Sequence, residues 1–265
     1  MRILVKVGGT LLDSNAGCKA IAQQLAGIAQ EHAVVAVHGG GKQLTRFLHE
    51  RGIQSRFVNG LRVSDEAVID GVTKVIAGTV NKQLVTALIH AGKTAVGISG
   101  ADGPLTVAKQ LDPALGWVGK PVKSDGRLLD ALLNIGYMPV VACIAGGREG
   151  HIYNVNADQM AASCAVGWHA DRLIFLTDVE GVKDAAGHLL HRLTHEEIAQ
   201  LIASGVAHGG MQAKLEAAVS ALDGGLSEVT IAGGHAPDIC RRVLAGEALG
   251  TRVTAESLVP EASRA

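Results

Sequence analysis

The feature that most narrows the folds open to this chain is a repeated order of short β-branched apolar runs, each followed by helical periodicity. Arg2–Val7, Ala33–His38, Thr94–Ser99, Met138–Ala142, Leu173–Thr177 and Glu228–Ile231 read as strands, with another near Thr251–Val253. Several are almost wholly apolar, the pattern of a parallel sheet covered by helices on both faces. Helical patterns fill the gaps near 16–31, 41–51, 65–91, 125–136, 157–168, 195–204 and 210–223. Thr194–Glu197 has the form of a capping box, and Asn156–Gln159 has the same form. Ser64 is a candidate N-cap for the long helix, whose first turn carries Asp65 and Glu66, where the dipole favours negative charge. Strand alternating with helix to the end of the chain predicts a doubly wound α/β sheet.

Composition removes whole classes of function. Of 265 residues, 48% are hydrophobic and 18% charged, whereas disorder needs low hydrophobicity with high net charge. Twenty-four basic against 25 acidic side chains leave a formal charge of −1, so nothing points to nucleic acid or an anionic membrane. No apolar run approaches the roughly 18 residues of a membrane span, and MRILVKVGG reaches glycine too early for a signal-peptide core. Cys18, Cys143, Cys164 and Cys240 show no CxxC spacing; buried free thiols and a cytoplasmic location are expected. Aromatics are only 3%, so the core must be aliphatic. Glycine, at 34 residues, is nearly twice its usual share of about 7%, which suggests tight strand-to-helix turns and close backbone approach to a ligand. We read 1–170 as an N-terminal lobe, with a turn-rich insert near 100–125 expected to hold small hairpins. Residues 171–265 form a C-terminal lobe sharing the same sheet.

The residues that suggest chemistry sit at strand ends. KVGGT (Lys6–Thr10) closes the first strand, and HGGGK (His38–Lys42) closes the second and opens a helix. Ligands of open α/β sheets bind outside the carboxyl ends of strands, where glycine amides and helix N-termini receive anions. Either turn alone is equally what a tight turn looks like. Neither fits a Walker A loop, and G-x-G-x-x-G is absent, which removes a dinucleotide-binding dehydrogenase. Lys6, between Val5 and Val7, is costly to bury without a charged partner. Arg62 in NGLRVSD offers a fork suited to carboxylates, although a surface arginine reads the same way. NVNADQ (Asn154–Gln159) and GGMQAK (Gly209–Lys214) again place polar groups at helix starts. His188, His191 and His195 read as a turn and a helix cap rather than a metal site, and no G-x-S-x-G elbow appears.

In order, KVGGT, HGGGK, NGLRVSD, YNVNADQMA, LTDVEGV and GGMQAK resemble the amino-acid-kinase family over essentially the whole chain. The resemblance implies a three-layer αβα sandwich around a central, mostly parallel sheet, with the acceptor in the N-terminal lobe and the nucleotide in the C-terminal lobe. Within the family the motifs are most similar to those of enzymes that transfer the γ-phosphoryl of ATP to the γ-carboxylate of N-acetyl-L-glutamate. By position, Lys6 and Lys214 are the implied catalytic lysines, and Asp158 is the carboxylate that holds them. Gly40, Gly41, Arg62 (for the α-carboxylate) and Asn154 are the implied acceptor contacts. Gly8 and Gly9 are implied phosphate amides. Asp178, Val179, Glu180, Gly181, Val182 and Lys183, with Val206, Ala207, His208, Gly210 and Met211, are implied for base and ribose. Mg²⁺ would be held by ATP phosphates and water, with no protein metal site. Arginine-inhibited relatives carry an N-terminal helix that joins dimers into hexamers. This sequence opens in its first strand, so the resemblance implies the arginine-insensitive homodimer. The rivals are a sister kinase for carrier-protein-linked glutamate or aminoadipate, and a non-catalytic nucleotide-sensing module.

Overall fold

The computed structural model describes residues 1–255. At its centre is β1 (Arg2–Val7), whose Ile3, Leu4, Val5 and Val7 are fully buried. A 3₁₀ turn leads into α1 (Asn15–Ile28), followed by β2 (Ala33–His38) and α2 (Gly41–Glu50). A small hairpin of β3 (Phe57–Val58) and β4 (Leu61–Arg62) precedes one long rod: α3 (Glu66–Val72), a π-helical stretch over Thr73–Val80, and α4 (Asn81–His90). Then come β5 (Ala95–Ser99), β6 (Thr106–Gln110), β7 (Val118–Ser124), α5 (Arg127–Asn134), β8 (Met138–Ala142), β9 (Ile144–Gly146) and β10 (Ile152–Val155). The remainder is α6 (Ala157–Gly167), β11 (Arg172–Thr177), β12 (Arg192–Thr194), α7 (His195–Ala203), α8 (Gly209–Asp223), β13 (Glu228–Gly233), α9 (Ile239–Leu244) and β14 (Thr251–Thr254).

Eight strands form one sheet in the order β12-β14-β13-β11-β1-β2-β8-β5. Every pairing is parallel except β13 with β14. The mixed α/β class and mostly parallel sheet anticipated from sequence are therefore observed. Because β1 pairs with β11, the sheet runs unbroken across residue 170. The insert near 100–125 contains the β6–β7 hairpin, which closes with β9 and β10 into a small four-stranded barrel.

Local signals explain most element boundaries. Thr194 makes both halves of the capping box with Glu197. Asn156 makes only the side-chain half, its Oδ1 accepting from the amides of Asp158 at 2.8 Å and Gln159 at 3.2 Å. The long rod is capped by Asp65, which accepts from the Val68 amide, and not by Ser64. Ser64 is fully buried and donates instead to the Arg62 carbonyl. A carboxylate one residue nearer the helix takes the capping role, freeing the hydroxyl for the site.

Candidate active site

Three glycine-containing turns and two helix starts converge at the carboxyl ends of β1 and β2. Lys6 is carried inward by β1 and is 7% exposed; Asp158, from the first turn of α6, and Lys214, from the second turn of α8, are 7% and 6% exposed. Asp158 Oδ1 lies 2.9 Å from the Nζ of Lys6, and Lys214 Nζ donates to Oδ1 at 2.9 Å and Oδ2 at 3.0 Å. Residues 6, 158 and 214 thus form one buried Lys–Asp–Lys cluster with a net positive charge. Burial raises the pKa of the Asp158 carboxyl, but Lys6 and Lys214 outweigh it and hold the pKa below the ordinary range. Lys214 titrates below the usual lysine value, because burial and the neighbouring Lys6 charge outweigh Asp158. Lys214 Nζ also lies 5.4 Å from the Phe175 ring centroid.

Beside the cluster is a cavity of about 250 Å³, lined by Lys6, Gly9, Gly40, Gly41, Arg62, Asn154 and Asp158 among others. The two glycine turns touch there: a Cβ on Gly9 would stand 3.5 Å from the nitrogens of Gly40 and Gly41. Gly8 is used differently. Its N–H donates to the Leu176 carbonyl at 2.9 Å, extending the β1–β11 pairing, so Gly9 rather than Gly8 faces the cavity.

Arg62 is 8% exposed at the end of β4. It donates to Ser55 Oγ, to the Gly41 carbonyl at 3.1 Å and to Thr45 Oγ1 at 2.7 Å, and stacks 4.6 Å from the Phe57 ring. Asn154 donates to Ser64 Oγ at 3.0 Å, which links it through Ser64 to the backbone of Arg62. Sequence reading missed Ser55, Thr45 and Phe57. Only their place beside NGLRVSD could have suggested them. It also missed Cys143, which lines the cavity as a buried thiol pushed up to about 12 by desolvation.

The residues expected to hold base and ribose lie outside this cavity. Asp178, Val179, Glu180 and Lys183 are exposed where the chain leaves β11, as are His208 and Gly210 at the start of α8; Met211 is half-buried. Val182 and Ala207, at 1% and 3% exposure, are core residues; Gly181 is buried too, and the Val182 amide donates to Thr251 Oγ1 at 2.8 Å. These side chains pack in the core and hold the backbone in place. A larger cavity of about 760 Å³ between β7, α6 and α8 contains none of the expected site residues.

Chemically, the cluster and the glycine amides make a preformed receptor for an anion, with a guanidinium at its rim. The model of the amino acid kinase family matches residues 1–233. The chain belongs to the amino acid kinase family. Within this family it is 55% identical over 254 residues to the acetylglutamate kinase of Solibacter usitatus, covering 96% of this chain and 99% of that protein. It is 44% identical over 247 residues to the acetylglutamate kinase of Acidobacterium capsulatum, covering 91% and 95%. The solved structure of smu.665 from Streptococcus mutans superposes with a TM-score of 0.79 at 26% identity, covering 96% of this chain and 98% of that one.

Proposed function

We propose that this chain transfers the γ-phosphoryl of Mg-ATP to the γ-carboxylate of N-acetyl-L-glutamate, giving N-acetylglutamyl 5-phosphate. One observation carries the reading: Lys6 and Asp158, two members of the buried Lys6–Asp158–Lys214 cluster, line the same cavity as Gly9, Gly40, Gly41 and Arg62. Relatives of 42–55% identity named acetylglutamate kinase support the choice of acceptor.

In this mechanism the acceptor carboxylate is already ionised at neutral pH, since its ordinary pKa is near 4.3, so no base is required. The difficulty is bringing two anions together while charge spreads over the equatorial oxygens of the transferring group. Lys6 and Lys214 oppose that repulsion from a β-strand and a helix start, and Asp158 keeps both ammonium groups in place without neutralising the pair. Gly9, Gly40 and Gly41 bring backbone N–H groups to the same space, and Arg62 takes the α-carboxylate. Asp158 is engaged by two lysines, and the described residues contain no group of three or more His, Cys, Asp or Glu suited to a metal. Mg²⁺ would enter with the nucleotide substrate, held by its phosphates and by water, and would shield the negative charge of the transferring group.

In this reading residues 1–170 hold the acceptor and the dimer contact, and residues 171–265 hold ATP through Asp178–Lys183 and Val206–Met211. The enzyme is a cytoplasmic homodimer; no helix among the described residues is long and apolar enough to cross a membrane. The test is ADP release with acetylglutamate, glutamate, aspartate and acetylaminoadipate as acceptors. Turnover with acetylglutamate well above the others is expected. Preference for another acceptor, or none at all, would replace this assignment with a carrier-linked substrate or a sensing role. Light scattering tests the dimer.

A further inference from the structure

One buried polar network takes no part in the chemistry above. His38 ends β2 and Asn81 opens α4, and both are 0% exposed. His38 Nδ1 lies 2.8 Å from the Gly39 carbonyl oxygen, and Nε2 lies 3.1 Å from Asn81 Nδ2. A carbonyl only accepts, so Nδ1 carries the hydrogen and Nε2 accepts from Asn81. The second Nδ2 hydrogen of Asn81 goes to the Val140 carbonyl on β8 at 2.9 Å, while its Oδ1 accepts from Lys82 Nζ at 3.0 Å. Turning the Asn81 amide over would set its oxygen against two acceptors, so the donor chain admits one arrangement. Gly97 on β5 leaves the room for it, because a Cβ there would collide with Asn81 Oδ1. Burial lowers the His38 pKa to about 4, against a smaller opposing effect of the Gly39 bond, so the ring is neutral near pH 7.

What this network fixes is the Gly39–Gly40 peptide. In a trans peptide the C=O and N–H point in opposite directions. With the Gly39 oxygen drawn to the imidazole, the Gly40 N–H is turned the other way, toward Gly9 and the cavity that both glycines line. We propose that His38, oriented by Asn81, is a positioning residue that aims the Gly40 N–H at the anion in the cavity. The proposal rests on the phosphoryl-transfer reading of that cavity for its catalytic consequence, though its geometry does not.

Two experiments test it. A ¹⁵N-histidine spectrum of the wild-type chain near pH 7.5 should show His38 protonated at Nδ1 only. An Nε2–H tautomer or an imidazolium overturns the proposal whatever the chain catalyses. Then His38→Asn, which keeps an N–H at the Nδ1 position, is compared with His38→Leu, which keeps bulk and loses both bonds. Turnover within about fivefold of wild type is expected for His38→Asn, and a loss on the order of a hundredfold for His38→Leu, with the KM for ATP little changed. Equal losses in the two variants, or a change in melting temperature alone, overturns it. If His38→Leu does not fold, a hundredfold loss in His38→Asn overturns it just as well. A wild-type chain that phosphorylates no acceptor removes the kinase reading, and the tautomer with the Gly40 amide shift in His38→Asn still decides the positioning.

Discussion

In and beside the acceptor cavity Lys6, Arg62, Asp158 and Lys214 are each at most 8% exposed, and each is bonded to a partner from a distant part of the chain. At the segments expected to meet the nucleotide, Asp178, Val179, Glu180 and Lys183 are exposed beyond β11, His208 and Gly210 are exposed at the start of α8, and Gly209 has a left-handed φ of 55°. The contrast separates two ways of making a binding site. Charges fixed by internal partners need no reorganisation when the reaction develops charge, which is where electrostatic stabilisation is largest. Exposed side chains are screened by water and held by weaker pairs, so each contributes less and tolerates change better. Substitutions on the two sides should therefore differ in size and in kind.

The largest effect is expected at Asp158. Asp158→Ala leaves two ammonium groups buried without their carboxylate, and breaking a buried ion pair in this way costs about 3–5 kcal/mol of stability. Turnover should fall at the same time, since both lysines lose their anchor. Urea unfolding with an ADP-release assay checks both, and a stable, active Asp158→Ala chain would erase the contrast drawn above.

Lys6→Ala and Lys214→Ala should behave differently from Asp158→Ala, because in each case Asp158 keeps the other lysine. The fold should persist while turnover drops about a hundredfold or more, roughly 3 kcal/mol of lost transition-state stabilisation. Near-wild-type turnover in either variant removes that lysine from the mechanism.

The acid side offers a change of similar size with no reacting group involved. His38 has a folded pKa of about 4 against 6.5 when unfolded. Between these values the unfolded chain binds a proton that the folded chain refuses, so stability is complete above about pH 6.5 and is lost as pH falls toward 4. The loss amounts to about 3 kcal/mol over that window. Unfolding of wild type and His38→Asn across pH 4–7 isolates it, and an unchanged slope in the variant refutes the assignment.

Arg62→Lys keeps the charge and removes the fork. Three side-chain or backbone acceptors already engage the guanidinium, so the variant loses both its orientation and its bidentate geometry. The KM for acetylglutamate should rise by about 2 kcal/mol, some thirtyfold, with the KM for ATP little changed. Weaker ATP binding with acetylglutamate unaffected would move Arg62 to the other side of the comparison.

How much of this could be read from the sequence follows from the range of each interaction. The central strands were legible because they are almost wholly apolar, a pattern that burial on both faces demands; β1, β2 and β8 fall at the expected residues. The three-residue β12 and the six-residue α9 were not, since neither is long enough to show a period, and α9 follows a left-handed Asp238. Lys6 announced itself as a charge inside an apolar strand. Its meeting with Asp158 and Lys214 is a matter of tertiary placement, and it came through the order of motifs rather than through spacing. His38 and Asn81 went unread for the same reason: a buried hydrogen-bond chain between separate elements leaves no periodic trace. In Asp178–Lys183 and Val206–Met211 the motifs were carried over whole, so Val182 and Ala207 were included although their side chains belong to the core.

The smallest effect, and the sharpest check of the comparison, is at Lys183. Its ammonium lies 3.7 Å from Glu180 Oε2, and its side chain is half exposed, so the pair contributes at most about 1 kcal/mol. If the nucleotide side is built from exposed turns, Lys183→Ala should raise the KM for ATP only a few-fold. Stability, turnover at saturating ATP and the KM for acetylglutamate should all stay close to wild type. Salt should mimic the variant, because the interactions of an exposed ammonium are screened within a Debye length of about 8 Å at 0.15 M. A drop in turnover approaching that of Lys6→Ala, persisting at high salt and saturating ATP, would mean that Lys183 reaches the transferring group. The nucleotide side would then be as preorganised as the acceptor cavity, and the division between a built half and an assembled half would fail.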